Sequence, residues 1–569
     1  MRQNVIVRGG TLVDGTGGPS RRADVRVREG KITEIGPDLK PDGETEIDAS
    51  GATVAPGFID GHTHFDPSLF WDQACDPMPQ HGVTTVLFGN CSLSLAPVRA
   101  AHRKQVSDTF GLIEEFPEIA FTDHVPWDWE TYPDYIGSMS RRGFGVNVAG
   151  LVGLSMLRLY VLGEEAWERP STAEERRQVV HLLEEALAAG AAGFSTSFFD
   201  RGPDGRLVPS AMVDDDELSA LIAATGRHRG HFETIPADVN KGRGKAMESL
   251  EQQARWCAAA GVTLTWNAFF DLQSDPTFSE DYLAFAQRLQ KEGLPALPTV
   301  SPRPVDFMMN WDGGLSFLKL AAWNDFLQAP RPAKQKMLSD PAWRARAARD
   351  WDSADEGAFP HRRIETVIIT QVEHPELARF AGKPLTAWVD EHGGHPSDAL
   401  ADWVAKNDLR PELAFTVGNH DPARLGRLLA DPATLVSASD AGAHVQGLCT
   451  SGDTTLLLTR YVRELGLFSL ERGVAELTSR QADVYGFTDR GRLEVGKAGD
   501  LVVFDLDELR WGDQEPVHDF PGGGLRYRRP PGGYRATVAN GVVTQIGGKS
   551  TGALPGAWLP GKHPGAALA

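Results

Sequence analysis

The chain has 569 residues, 41% hydrophobic and 24% charged, enough for one large domain with a smaller companion and typical of globular proteins. Its formal charge of −20 would repel nucleic acid and anionic membranes, so neither is expected as a partner. The opening Met1–Gly18 lacks a secretory apolar core and no stretch approaches the roughly 18 apolar residues of a membrane span. Four scattered cysteines (Cys75, Cys91, Cys257, Cys449) do not make a disulfide scaffold, so a reduced, cytoplasmic setting is expected.

In chain order, the first fifty residues read as short strands. NVIVRGGTLVDG and RADVRVREGKITEIG alternate with period two, punctuated by Gly9-Gly10, Gly15 and Gly30. From Phe58 the pattern changes. Runs that look like buried strands (HGVTTVLFGN, GFGVNVAGLVG, GAAGFSTSFFD, GHFETIP, GVTLTWNAFF, ATLVSASDAGAH) alternate with amphipathic helices. One of these, Ser171–Gly190, opens Ser-Thr-x-Glu and closes on glycine. Such strand–helix repetition predicts a parallel sheet, most economically a (β/α)₈ TIM-type barrel over residues 58–488. An open doubly wound sheet, as in a dehydrogenase, is disfavoured because no Gly-x-Gly-x-x-Gly turn follows the first such strand.

Period-two alternation returns in Gly491–Asp505 and Tyr534–Gly548. Two short sets of strands would each be marginal alone, so residues 1–57 and 489–569 are expected to build one small β-sandwich. The Pro- and Trp-rich segments Ala100–Tyr135, Arg303–Arg362 and Glu508–Gly533 are expected as ordered insertions at a pocket rim.

The stretch VAPGFIDGHTHFDPSLFWD, Val54–Asp72, puts His62 and His64 at the end of the first barrel strand. Side chains two apart share a face, and functional groups of such barrels sit at the C-terminal ends of strands. Two imidazoles there suit a borderline divalent ion such as zinc; the rival reading is a polar loop. Cys91 follows the second strand in VTTVLFGNCSLS. A lone cysteine is more often core filling, but beside His-x-His it reads as a thiolate ligand. In TLVSASDAGAH, Asp440 ends a late strand, where it can bind a metal or handle a water's proton; otherwise it is a turn former.

Four stretches, APGFIDGHTHFD, GVTTVLFGNC, LVSASDAGAH and GRLEVGKAGDLVVFD, resemble the amidohydrolase superfamily of metal-dependent (β/α)₈ hydrolases. They are most similar to its D-aminoacylase (N-acyl-D-amino-acid deacylase) branch, as is the closing ANGVVTQIGGKSTGALPG. The resemblance implies one or two zinc ions, His62, His64 and Cys91 as ligands, and Asp440 as both ligand and handler of the water's proton. Cys91 stands where many relatives instead use a carboxylated lysine later in the barrel.

Such enzymes usually add a histidine after each of two middle strands. Here His228 and His231 fall before or at the start of the strand, so Glu233, at the right depth, is the expected further ligand. GVTLTWNAFFD has no histidine; Asn267 or Asp271 stands near its exit, and Asn267 and His444 are expected to touch substrate. His420 fits a loop leading into a helix, and His374, His392 and His395 read as surface loop residues.

The expected activity is hydrolysis of a carbon–nitrogen amide bond in a small molecule, an N-acyl-D-amino acid first. Another amide, a cyclic imide, a formamide or a lactone is the alternative on the same barrel, as is an inactive binding homologue. The sequence also allows a homo-oligomer.

Overall fold

The computed structural model describes residues 4–561 apart from 237–241, 268, 273–274, 310, 312–316, 318–319, 354–360, 371, 373, 411–412 and 438. Eight parallel strands neighbour one another in chain order: β1 (Phe58–Asp60), β2 (Val83–Phe88), β3 (Asn147–Gly153), β4 (Gly193–Ser197), β5 (His231–Ile235), β6 (Leu264–Trp266), β7 (Ala296–Val300) and β8 (Leu435–Val436). The sheet closes just beyond the ends of β1 and β8. Thr63 bridges Ala441, the His64 N–H donates to the Ala441 carbonyl (2.8 Å), and the Asp440 N–H donates to the His62 carbonyl (3.1 Å). This is the expected TIM-type barrel.

The strand absent from the sequence reading is β7, ALPTV, whose proline argues against a central strand. Pro298 is tolerated because the ladder to β8 begins only at Thr299, opposite Leu435. Ile59, Leu87, Leu151, Leu297 and Leu435 of the strands pack with Tyr485, Phe487 and Leu559 in one cluster. Outside, the helix Ala173–Ala189 starts at a Thr172–Glu175 capping box and stops at Gly190, whose φ of 115° suits glycine. Those are the ends that its sequence announces.

Both chain ends meet in one seven-stranded sheet, where Val54 lies opposite Val503 and Thr11 opposite Thr53. A four-stranded sheet of N-terminal strands shares a core with it, through Val5, Val25, Val27, Val54, Leu501 and Val538. Between β7 and β8 lies a further unit with its own Trp-rich core. Its antiparallel sheet places Leu413–Gly418 between Val305–Met308 and Val367–Ile369. The unit therefore runs well past residue 362, because its middle strand comes from far along the chain. Within it His392 ends the helix Thr386–His392 and His395 caps the helix Pro396–Lys406, so neither is a plain loop residue. His420 precedes the helix Pro422–Ala430 and meets Asp306 at 2.7 Å. Within the 508–533 segment, Glu515–Phe520 and Gly524–Arg528 form a hairpin. No helix among the described residues is long and apolar enough to cross a membrane.

His81, in the turn before β2, joins the barrel to the C-terminal segment. Its Nδ1 lies 2.8 Å from Thr455 Oγ1, which also contacts the Tyr534 hydroxyl at 3.1 Å. Burial, aided by Arg529 and Arg528, pushes its pKa from 6.5 down to about 3. Below pH 6.5 the unfolded chain therefore takes up a proton that the folded chain refuses. Stability should fall on acidification from 6.5 toward 3, by up to about 1.4 kcal/mol per pH unit from this group. His81→Gln should flatten that slope, with a difference on the order of 2 kcal/mol developing by pH 4.5 in denaturant unfolding. Parallel pH profiles for the two proteins would contradict this.

Candidate metal centre

The turn after β1 needs glycine at 61, since a Cβ there would come within 2.1 Å of the Tyr485 ring. From this turn His62 and His64 bring their Nε2 atoms to 3.4 Å of each other. Cys91 Sγ lies 3.4 Å from His62 Nε2, and the candidate ligand atoms of the three residues all fall within 4.8 Å of one another. Cys91 and Ser92 have positive φ (56° and 66°). Their N–H groups are held by Glu233 Oε2 (3.0 Å) and Ser195 Oγ (2.9 Å), from β5 and β4.

Asp440, also at positive φ (65°), places Oδ1 3.4 Å from His62 Nε2 and 3.2 Å from His64 Nε2. Its other oxygen lies 3.5 Å from His444 Nε2, and His444 has a φ of 48°. Left-handed backbone costs a non-glycine residue on the order of 1 kcal/mol or more, so its concentration at Cys91, Asp440 and His444 marks a locally strained site.

The electrostatics ask for a cation. Burial pushes Glu233 up to about 7 and Asp200 up to about 6. Burial, with Asp440 nearby, lifts Glu114 well above the usual carboxylate range. The Cys91 thiol is likewise raised by burial and by Glu233. Burial would raise Asp440 too, but His62 and His64 against it hold it well below the usual range. His444 is pushed down to about 4 by burial. Glu233 Oε1 and Asn267 Oδ1 are buried with no hydrogen-bond partner among the described residues. Two imidazoles, a thiol and carboxylates in such a pocket fit a borderline divalent ion, which would hold the thiol deprotonated.

The structure thus gathers His62, His64, Cys91, Glu233, Asn267, Asp440 and His444. Asn267 follows β6 with Nδ2 3.5 Å from Cys91 Sγ. His231 starts β5 and turns to Thr265 Oγ1 (2.8 Å) and the Tyr485 ring, away from the cluster. Asp271 is bound by Arg424 (2.8 Å) and Ser279 (3.0 Å), which makes it a structural acid.

Glu114 and Asp200 were missed, and Arg303 could not be singled out from sequence among the arginines of the insertions. Glu114 lies 3.2 Å from His64 Nδ1, and Asp200 adds negative charge beside Glu233. Arg303 is buried, donates to the Ser439 carbonyl (2.8 Å), pairs with Asp453 (3.2 Å) and leaves Nη1 without a hydrogen-bond partner among the described residues. An acid pair embedded in apolar residues, GLIEEF, was the available hint for Glu114.

The sequence profile of the amidohydrolase family matches residues 45–353 and 370–545. The chain belongs to the amidohydrolase family. It is a hydrolase of carbon–nitrogen bonds other than peptide bonds. An uncharacterized protein of Mycobacterium tuberculosis is 32% identical over 96% of this chain and 91% of its own. The D-aminoacylase of Alcaligenes xylosoxydans xylosoxydans is 29% identical over 88% of each chain. Among solved structures, N-acyl-D-glutamate deacylase of Bordetella bronchiseptica, complexed with zinc and a phosphonate inhibitor, superposes with a TM-score of 0.66. That likeness, at 23% identity over 98% of this chain and 100% of the other, is one of fold.

Removing the sulfur tests the donor set of this amidohydrolase. Cys91→Ser should weaken zinc binding by more than about tenfold in chelator competition, since even residues that merely support ligands are worth that much. Unchanged affinity would take Cys91 out of the set.

Proposed function

We propose that this amidohydrolase removes the acyl group from an N-acyl-D-amino acid with the help of one or two divalent metal ions, zinc in the first place. The reading is carried by the cluster of His62, His64 and Cys91 facing Asp440 at the barrel mouth. The similarity to a D-aminoacylase supports the substrate class.

His62 and His64 would hold the ion through Nε2, Cys91 through Sγ and Asp440 through Oδ1, with Glu233 as a further oxygen donor. When bound, the ion supplies Lewis acidity toward the acyl carbonyl and toward the attacking water. Asp440 takes that water's proton and returns it to the leaving nitrogen, a task for which its partial exposure (26%) leaves room. His444, kept neutral by burial, and Asn267, with an unpartnered Oδ1, face the substrate amide. Arg303, whose charge is paired with Asp453 at 3.2 Å, keeps Nη1 without a hydrogen-bond partner among the described residues and would offer it to a substrate carboxylate. A cytoplasmic setting agrees with four cysteines that are all unpaired.

The metal-reconstituted protein should hydrolyse N-acyl-D-amino acids in preference to N-acyl-L-amino acids, simple amides and lactones. Activity confined to lactones would overturn the deacylase reading. Asp440→Asn should lower kcat by about 10² or more while leaving the circular dichroism spectrum intact. An undiminished rate would remove Asp440 from proton transfer.

A further inference from the structure

Three successive residues of the segment between β2 and β3 each grip a different part of the metal centre. The helix Arg103–Ile113 buries Val106, Phe110 and Ile113, and the chain then leaves it at Glu114. The Ile113 carbonyl faces the His444 ring. Glu114 sets Oε1 3.2 Å from His64 Nδ1, and its own carbonyl accepts the Val445 N–H (3.2 Å). Glu115 binds the backbone of Gln446 and Gly447 through its carboxylate, while its carbonyl accepts from Gln446 Nε2 (2.7 Å). One short stretch from outside the barrel thus holds both the second histidine and the loop that follows Asp440.

We infer that Glu114 is the positioning residue for His64: its carboxylate accepts a hydrogen bond from Nδ1–H and so leaves Nε2 bare toward the metal. The inference rests on the reading of His62, His64 and Cys91 as ligands. An imidazole that ligates through Nε2 must carry its proton on Nδ1, and an acceptor there selects that tautomer, fixes the ring plane and makes Nε2 a better donor. Glu114 is the group in place to do this. It is 2% exposed, neither its Oε2 nor His64 Nδ1 has a hydrogen-bond partner among the described residues, and its Oε1 is the carboxylate oxygen placed 3.2 Å from that nitrogen. A carboxyl group withdrawn from water with one oxygen unpartnered is costly to keep in a purely structural role.

The test separates the acceptor from the bulk of the side chain. Glu114→Gln keeps an acceptor oxygen; Glu114→Leu keeps the volume without one. In the full chain, zinc affinity is measured by chelator competition, and the visible absorption of the cobalt(II)-loaded protein reports ligand geometry. Glu114→Leu should bind zinc about 10–100-fold more weakly and shift the cobalt bands, while Glu114→Gln stays close to wild type. Glu115→Gln, which loosens the loop after Asp440 without touching His64, should shift the cobalt bands clearly less than Glu114→Leu does.

Wild-type affinity and spectrum in Glu114→Leu would overturn the inference. So would a Gln variant as impaired as Leu, or an equal effect of Glu115→Gln. If leucine at 114 prevents folding, judged by near-ultraviolet circular dichroism of the metal-free protein, Glu114→Met takes its place. A wild-type chain that takes up neither zinc nor cobalt would instead defeat the metal reading itself.

Discussion

The hydrogen bonds that close the barrel are also those that assemble its candidate site. Ala441 receives the His64 N–H, and Asp440 donates its own N–H to the His62 carbonyl. Zipping β1 to β8 therefore sets the two imidazoles against the carboxylate without any separate device. A shift of one residue in that register would turn His62 and His64 away from the mouth, because alternate residues face opposite sides. Fold and site share one constraint.

Around that seam the protein concentrates what it avoids elsewhere. Left-handed backbone at Cys91, Asp440 and His444, and buried acids at Glu114, Asp200 and Glu233, gather around the candidate site. Each is unfavourable alone. A cation would relieve these negative groups together, and its binding free energy would then offset strain and desolvation that folding alone must bear. Burial and Glu233 hold the Cys91 thiol protonated, and a nearby cation would reverse that balance and make it a competent ligand.

The insertions give the common barrel its individual character. The segment between β2 and β3 reaches the histidines through Glu114, and the unit between β7 and β8 lays Phe307 edge-on against His444, ring centroids 5.0 Å apart. Arg303 enters at the root of that second unit and reaches the carbonyl of Ser439, next to Asp440. On the proposed reading, chemistry would belong to the strand ends, and orientation and substrate fit to the additions around them.

Local periodicity determined much of this protein in advance. His-x-His had to share a face, the helix closed by Gly190 had to end there, and the motifs spread from Ala55 to Asp505 named the family. Where the period was broken, the reading failed: β7 carries Pro298, and only the late start of its pairing with β8 makes that proline harmless. The partners of the site were decided by the tertiary structure. Glu114 is fifty positions from His64, and its role depends on how a separate helix docks. Spacing along the chain reports which way neighbouring side chains point, but only packing brings distant ones within hydrogen-bonding distance.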